Sequence, residues 1–194
     1  MGFLTGARLG ELRGLQLDDV QTNLVDGRRV RQLRIARSLG RGSTRVPVAG
    51  PTKSGKVRFV DVGSDLGMLL DRLQAERPRL ALKHAWRPVP PWVFVTSAGH
   101  PFDHAAVHRD FVTMVQRAGL GSTGFSPHSM RHSFASWHIA RGRNAKWVQQ
   151  QLGHATIGIT LDLYADSFKL SDAQAADTLG TALLGNTVGN SRGA

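Results

Sequence analysis

In the segment PHSMRHSFASWHIARG, His128 and Arg131 stand three residues apart, so on a helix they share one face. Ser126 as N-cap and Pro127 at the first helical position open that helix. Both side chains then sit near its positive end, where the helix terminus and the two side chains together would hold an anionic group such as a phosphate. A second segment, LGHATIGITLDLYA, places His154 ten residues before Tyr164, the single tyrosine of the chain. That phenol is either a packing group with a satisfied hydroxyl or a nucleophile. His104 and His108 stand at i, i+4 on another predicted helix, but no third ligand is placed near them and no metal site is expected. No carboxylate cluster suited to two-metal phosphoryl chemistry is visible. The chain has no cysteine, which excludes disulfide scaffolds, thiolate metal sites and thiol nucleophiles together.

The composition agrees with an anionic partner. The 194 residues carry 25 Lys and Arg against 14 Asp and Glu, a net charge of +11, with 41% hydrophobic residues. That is enough apolar material for one domain with a proper core. Residues 1–60 hold 12 of the cations and 4 of the acids, so the positive potential is concentrated in the first third. A polyanion, nucleic acid above all, is the natural partner, and the arginines from Arg28 to Arg45 are candidates for phosphate contacts or simple surface charge. The start lacks the apolar run of a signal peptide, position 6 is Gly where a myristoylation signal wants Ser or Thr, and no stretch is long and apolar enough to span a membrane. A cytoplasmic location is expected.

The elements that must hold these residues follow from periodicity and caps. ARLGELRGLQL, with Leu9, Leu12 and Leu15 at helical spacing, reads as the end of an amphipathic helix. RRVRQLRIARSL, TRVPV and KVRFVDV read as basic strands with a hairpin, separated by AGPTKSG. Ser64 is expected to cap a helix that runs to about Glu76, ahead of Pro78. WVFVT is a short apolar strand, and FDHAAVHRDFVTMVQRAGL a helix closed by Gly119. The helix opened by Pro127 closes at Gly142, and Asn144 caps NAKWVQQQLG. A last helix, SDAQAADTLGTALL, has a stripe of Leu179, Leu183 and Leu184 with little local partner. Met130, Phe134, Trp137 and Trp147 read as core, and His132 and His138 as packing or surface residues. The fold class is mainly α with a small antiparallel β-sheet.

Taken in order, TGARLGELRGLQLDDV, PTKSGKVRFV and PHSMRHSFASWHIARGRNAKWVQQQLGHATIGITLDLYA resemble the catalytic domain of the tyrosine recombinases, the phage-integrase type of DNA strand-transfer enzyme. The resemblance covers roughly residues 3–168. It implies that Arg8 is the first active-site arginine, Lys53 the lysine of the β-hairpin, His128 and Arg131 the His-x-x-Arg pair, His154 the second histidine and Tyr164 the nucleophile. Glu11 matches an acidic position that orients an active-site arginine. Lys56 is the rival to Lys53, which is preferred because it directly follows Thr52.

Those residue types suit the chemistry so implied. A phosphodiester in its pentacoordinate transition state spreads charge over its non-bridging oxygens, and Arg8 and Arg131 would clamp them in place of metal ions, with His154 donating a further hydrogen bond. Tyrosine ionises near ~10, so His128 is the candidate base, and Lys53 is the candidate acid for the leaving 5′ oxygen. No cofactor is expected. The resemblance further implies double-stranded DNA as substrate, a tetramer on DNA, accessory DNA-bending proteins and a nucleoid location. The family generally carries an all-helical core-binding domain ahead of this region. The chain is therefore expected to be an amino-terminally truncated catalytic domain over residues 1–184 with a flexible tail over 185–194, and the loss of the family's helix ahead of the Arg8 box to expose apolar surface around Phe3, Leu4 and Leu12. A type IB topoisomerase-like nicking and closing activity, or a catalytically silent DNA-binding remnant, would use the same residues.

Overall fold

The computed structural model describes residues 1–40, 48–158 and 160. Two short helices open the chain, α1 (Gly2–Thr5) and α2 (Leu9–Arg13). The periodicity of Leu9, Leu12 and Leu15 is therefore not the end of one helix. Gly6 interrupts it at φ 60, where a Cβ would meet Leu152 Cδ2 at 2.7 Å and Phe134 Cδ1 at 2.8 Å, so only glycine fits both the turn and the space. Arg8 then starts α2 afresh, its backbone N–H bonding Glu11 Oε2 at 2.8 Å. Phe3 and Leu4 are exposed, but Leu12 is buried in the main core.

Three strands follow as an antiparallel sheet in the order β1 (Val20–Val25), β2 (Arg28–Ile35), β5 (Arg58–Asp61), while β3 (Arg37–Leu39) pairs with β4 (Ala49–Pro51). Val25 faces Arg28 across a two-residue turn in which Asp26 and Gly27 both have positive φ, the Asp-Gly turn whose twist suits a hairpin. Strand β1 is an element that the sequence reading left out. Leu33, Ile35 and Val60 alternate inward with polar neighbours and pack with Leu12, Leu15, Leu66, Leu70 and Val93 into one core.

Helix α3 (Ser64–Lys83) contradicts the expected stop near Glu76, and its N-cap is Gly63 rather than Ser64. Pro78 lies inside it and removes one backbone bond. The turn beyond Pro78 is retained because Arg77 is buried and donates to the carbonyls of Trp92 and Val93, both at 2.8 Å, while Ala81 is buried as well. The segment WVFVT forms isolated bridges, Gln16 with Trp92 and Val95 with Pro101, rather than a full strand. Its backbone is engaged by the segment after α2, with Val93 N–H on Leu15 O and Leu17 N–H on Pro91 O, each 2.8 Å.

The remaining helices are α4 (His104–Arg117), α5 (Pro127–Ala140) and α6 (Ala145–Leu152). The expected starts of α5 and α6 are present, Ser126 N–H bonding Ser129 Oγ at 3.1 Å and Asn144 accepting from Lys146 N–H at 2.7 Å, and α4 is capped by Asp103, which accepts from Ala106 N–H at 3.0 Å. Gly119, Gly142 and Gly153 all have positive φ at or beyond helix ends. Phe134, Ala135, Ile139, Val148 and Leu152 form a second core between α5 and α6. Trp137 is not part of it, being 53% exposed, because it projects off the Phe134–Ile139 stripe and lies under the Arg141 guanidinium, 3.9 Å from its ring centroid. Met130 and Trp147 are half-buried. Tyr164, Arg41, Arg45 and the last-helix stripe of Leu179, Leu183 and Leu184 lie outside the described residues.

Candidate DNA strand-cleavage site

Arg8 is brought to the site by the N-terminus of α2, and its guanidinium Nη1 donates to Glu11 Oε1 at 3.2 Å. Glu11 is 1% exposed and is the anionic hub of the site. It also accepts from Arg58, Nη1 on Oε1 at 2.9 Å and Nη2 on Oε2 at 2.7 Å, a bidentate pair. Burial pushes the Glu11 carboxyl up, but the hydrogen bonds and charges of Arg58 and Arg8 outweigh it and hold the group below its ordinary value. Sequence reasoning did not single out Arg58. Its position next to buried Val60 on a strand gives no hint of a partner 47 residues away.

Arg131 comes from the first turns of α5 and is buried. It donates to Gly6 O at 2.7 Å and Leu152 O at 2.6 Å, which ties the end of α1 and the end of α6 to one guanidinium. His154 follows the Gly153 turn. Its backbone is held by Gln149, through N–H on Gln149 O at 3.2 Å and Gln149 Nε2 on His154 O at 2.9 Å. Its Nδ1 lies 2.9 Å from the Thr160 hydroxyl. Burial first, then the charges of Arg131, Arg8, Arg58 and His132, lower the imidazole to about 4, so it is neutral at pH 7.

His128 lies near the α5 N-terminus, its ring edge-on to His132 with centroids 4.8 Å apart. Partial burial, then His132, Arg131, Arg8 and Lys53, hold it below its ordinary value, which favours the neutral, proton-accepting form. Lys53 lies in the exposed turn between β4 and β5. Buried Thr52 anchors that turn by donating to Lys56 O at 2.8 Å, and Lys53 projects beyond it.

Arg8, Arg131 and His128 line one cleft of about 390 Å³ with Ser126, and His104 and His108 line it too. The sequence offers the α4 histidines only as metal ligands lacking a third, and does not place them at this cleft. Arg13 tethers the chain just ahead of α4, donating to Phe102 O at 2.7 Å and to Leu39 O at 3.3 Å. Among the described residues no group of three or more His, Asp or Glu side chains could hold a metal ion. Three of the arginines considered for DNA have acidic partners: Arg31 pairs with Asp71, Arg34 with Asp19 at 3.2 Å, and Arg37 with Asp19. Arg28 and Arg29 are exposed beside the β1–β2 turn. None of the described helices is long and apolar enough to cross a membrane.

The described residues thus form a helical domain with a small antiparallel sheet, in which Arg8, Arg131 and His128 line one cleft and His154 lies within reach of the charges of both arginines. The family model described as "Phage integrase family" matches residues 2–170, and the chain belongs to that family. Among similar proteins, the tyrosine recombinase XerD of Mycobacterium tuberculosis is 33% identical over 160 residues, covering 81% of this chain and 43% of that protein. A XerC-like tyrosine recombinase of Caldanaerobacter subterraneus is 27% identical over 186 residues, covering 92% of this chain and 47% of that one. The chain thus spans less than half the length of these relatives. Among solved structures, the Tn1549 transposon integrase in complex with circular intermediate DNA matches with a TM-score of 0.69 at 22% identity, covering 94% of this chain and 57% of that one. The XerH recombinase bound to difH substrate in a pre-cleavage complex matches with a TM-score of 0.62 at 22% identity, covering 94% and 44%.

Proposed function

We propose that this chain is the catalytic region of a site-specific DNA recombinase or integrase that cuts and rejoins DNA through Tyr164. The observation that carries the reading is that Arg8, His128 and Arg131, from separate parts of the chain, line one cleft, with His154 close enough to feel the charges of Arg131 and Arg8. The relatives named as tyrosine recombinases and the DNA-bound structural neighbours support it.

In this reading Arg8 and Arg131 bind the non-bridging oxygens of the scissile phosphate, and neutral His154 donates a hydrogen bond to the same group. The tautomer this role requires carries its proton on Nε2 and accepts from the Thr160 hydroxyl, 2.9 Å away, at Nδ1. The Tyr164 hydroxyl attacks phosphorus while its proton passes to His128. The bond from phosphorus to the 5′ oxygen breaks, and that oxygen takes a proton from Lys53. A 3′-phosphotyrosyl ester and a free 5′ hydroxyl result. Attack by a different 5′ hydroxyl reverses the step and joins a new strand without an external energy source. The chemistry on these side chains uses no cofactor.

The partner is double-stranded DNA, recognised first through its phosphates. The active assembly is a tetramer on paired sites, aided by DNA-bending proteins, in the nucleoid of the cytoplasm. Residues 1–184 make the catalytic domain and 185–194 a tail. A suicide substrate, nicked so that the cleaved end is lost, tests the mechanism. A covalent adduct mapped to Tyr164, absent in Tyr164→Phe and strongly reduced in Arg131→Ala, is expected. A folded chain that binds DNA but forms no adduct overturns it in favour of DNA binding alone.

A further inference from the structure

Arg58 spends three nitrogens on the protein itself. Nη1 and Nη2 donate to the two oxygens of Glu11 at 2.9 and 2.7 Å, and Nε donates to Gln151 O at 2.9 Å. Its side chain is 10% exposed. The stem crosses Gly153 so closely that a Cβ there would lie 2.9 Å from Arg58 Cδ and 3.0 Å from Nη1, and Gly153 has φ 66. One guanidinium on β5 therefore grips the hub that holds Arg8 and the turn that delivers His154.

We propose that Arg58 is a positioning residue that sets the spacing between Arg8 and His154. The proposal rests on the strand-cleavage reading of that cleft. With these donors committed to Glu11 and Gln151, Arg58 orients the groups that bind phosphate. A planar fork is required, because an ammonium is a point charge that does not span two carboxylate oxygens and a carbonyl on different segments at once. The Arg58 charge also reaches His154 and helps keep it neutral. The frame is shared by three parts of the chain, so a change at Arg58 reaches Arg8 and His154 together.

The test uses the full chain, Arg58→Lys and Arg58→Met. On nicked suicide DNA with which the unaltered chain forms its adduct, Arg58→Met is expected to slow adduct formation by roughly 100-fold, the scale of a misplaced reacting group. The dissociation constant for the same DNA is expected to change by less than ~3-fold, because the loss lies in the reacting geometry rather than in binding. Combined with Arg8→Ala, the two losses are expected to fall short of multiplying, since Arg58 acts through Arg8. Arg58→Lys retains a charged stem and provides a second variant if Arg58→Met does not fold. Its cleavage at the unaltered rate, or losses that multiply in full, overturns the proposal. A DNA-free readout separates its failure from failure of the strand-cleavage reading. By NMR, the His154 titration is expected to move up towards the ordinary histidine range in Arg58→Met, and an unmoved titration overturns the proposal whether or not any adduct forms.

Discussion

Glu11→Gln is the sharpest perturbation of the site, because it changes charge with almost no change in shape. Glu11 is 1% exposed and accepts four hydrogen bonds, from the Arg8 backbone N–H, Arg8 Nη1, Arg58 Nη1 and Arg58 Nη2. A glutamine has one acceptor oxygen, and whichever way it turns, its amide group opposes two of those donors. Each oxygen of Glu11 serves one Arg58 nitrogen and one Arg8 nitrogen, so two hydrogen bonds are lost in either orientation. At ~1.5 kcal/mol for each bond to a charged group, the loss is ~3 kcal/mol. The range of ~3–5 kcal/mol for breaking one side of a buried ion pair brackets that value from above. For a chain of this size the melting temperature falls by roughly 6–12 °C. The assay is urea denaturation at pH 7.5 with a thermal melt beside it. The pH dependence provides a second check. The Glu11 carboxyl is held below its ordinary value of 4.5 in the folded chain, so its contribution is present above the unfolded value and is lost as pH falls through the folded one. Glu11→Gln is expected to remove that acid-side loss. A variant within 1 kcal/mol of the unaltered chain, with the same acid profile, would refute the view of Glu11 as the hub, a threshold set by the ~1 kcal/mol mean of ordinary substitutions.

Other outcomes follow from the same structure. His154 is lowered from 6.5 to about 4, so the unfolded chain takes up a proton at a higher pH than the folded chain does. Stability should decline as pH falls from 6.5 towards 4, and His154→Asn should flatten that decline in denaturation curves taken across the range. If His128 is the base, adduct formation should rise with pH through its lowered value, and a flat pH–rate profile would count against that role. Gly153→Ala, at φ 66 and with its Cβ 2.9 Å from Arg58 Cδ, should cost at least ~1–2 kcal/mol in a urea titration and slow cleavage by displacing Arg58. Asn144→Ala should lose ~1 kcal/mol through the α6 cap while leaving DNA affinity unchanged in a gel shift.

The features legible in the sequence are those whose physics acts over a few residues. The Ser126-Pro127 start of α5, the Asn144 cap of α6 and the glycines that end the helices are decided by backbone conformation and hydrogen bonds to residues two to four positions away. Glu11 is tied to an active-site arginine by the resemblance alone, and its bond to Arg8 three residues off is local as well. Where the reading failed, a distant contact outweighed a local signal. Pro78 did not stop α3 because Arg77 is buried against the carbonyls of Trp92 and Val93. Trp137 left the core for an Arg141 stacking partner because helix phase, rather than hydrophobicity, chose its face. Strand β1 is not legible in the sequence because its polar, half-exposed residues carry a weak pattern, and only the Asp26-Gly27 turn after it signals a hairpin.

The sequence by itself determined the kinds of group at the site and their order along the chain, because arginine forks, imidazoles and a lysine keep their chemistry wherever the backbone carries them. It also determined the helix starts and stops that aim His128 and Arg131 together. Only the tertiary structure decided which groups hold which. Arg58 meets Glu11 across 47 residues and Gln151 O across 93, and Arg131 meets Gly6 O across 125. Such contacts are selected when the core closes and buried charges must find partners, a demand that no local window of residues expresses.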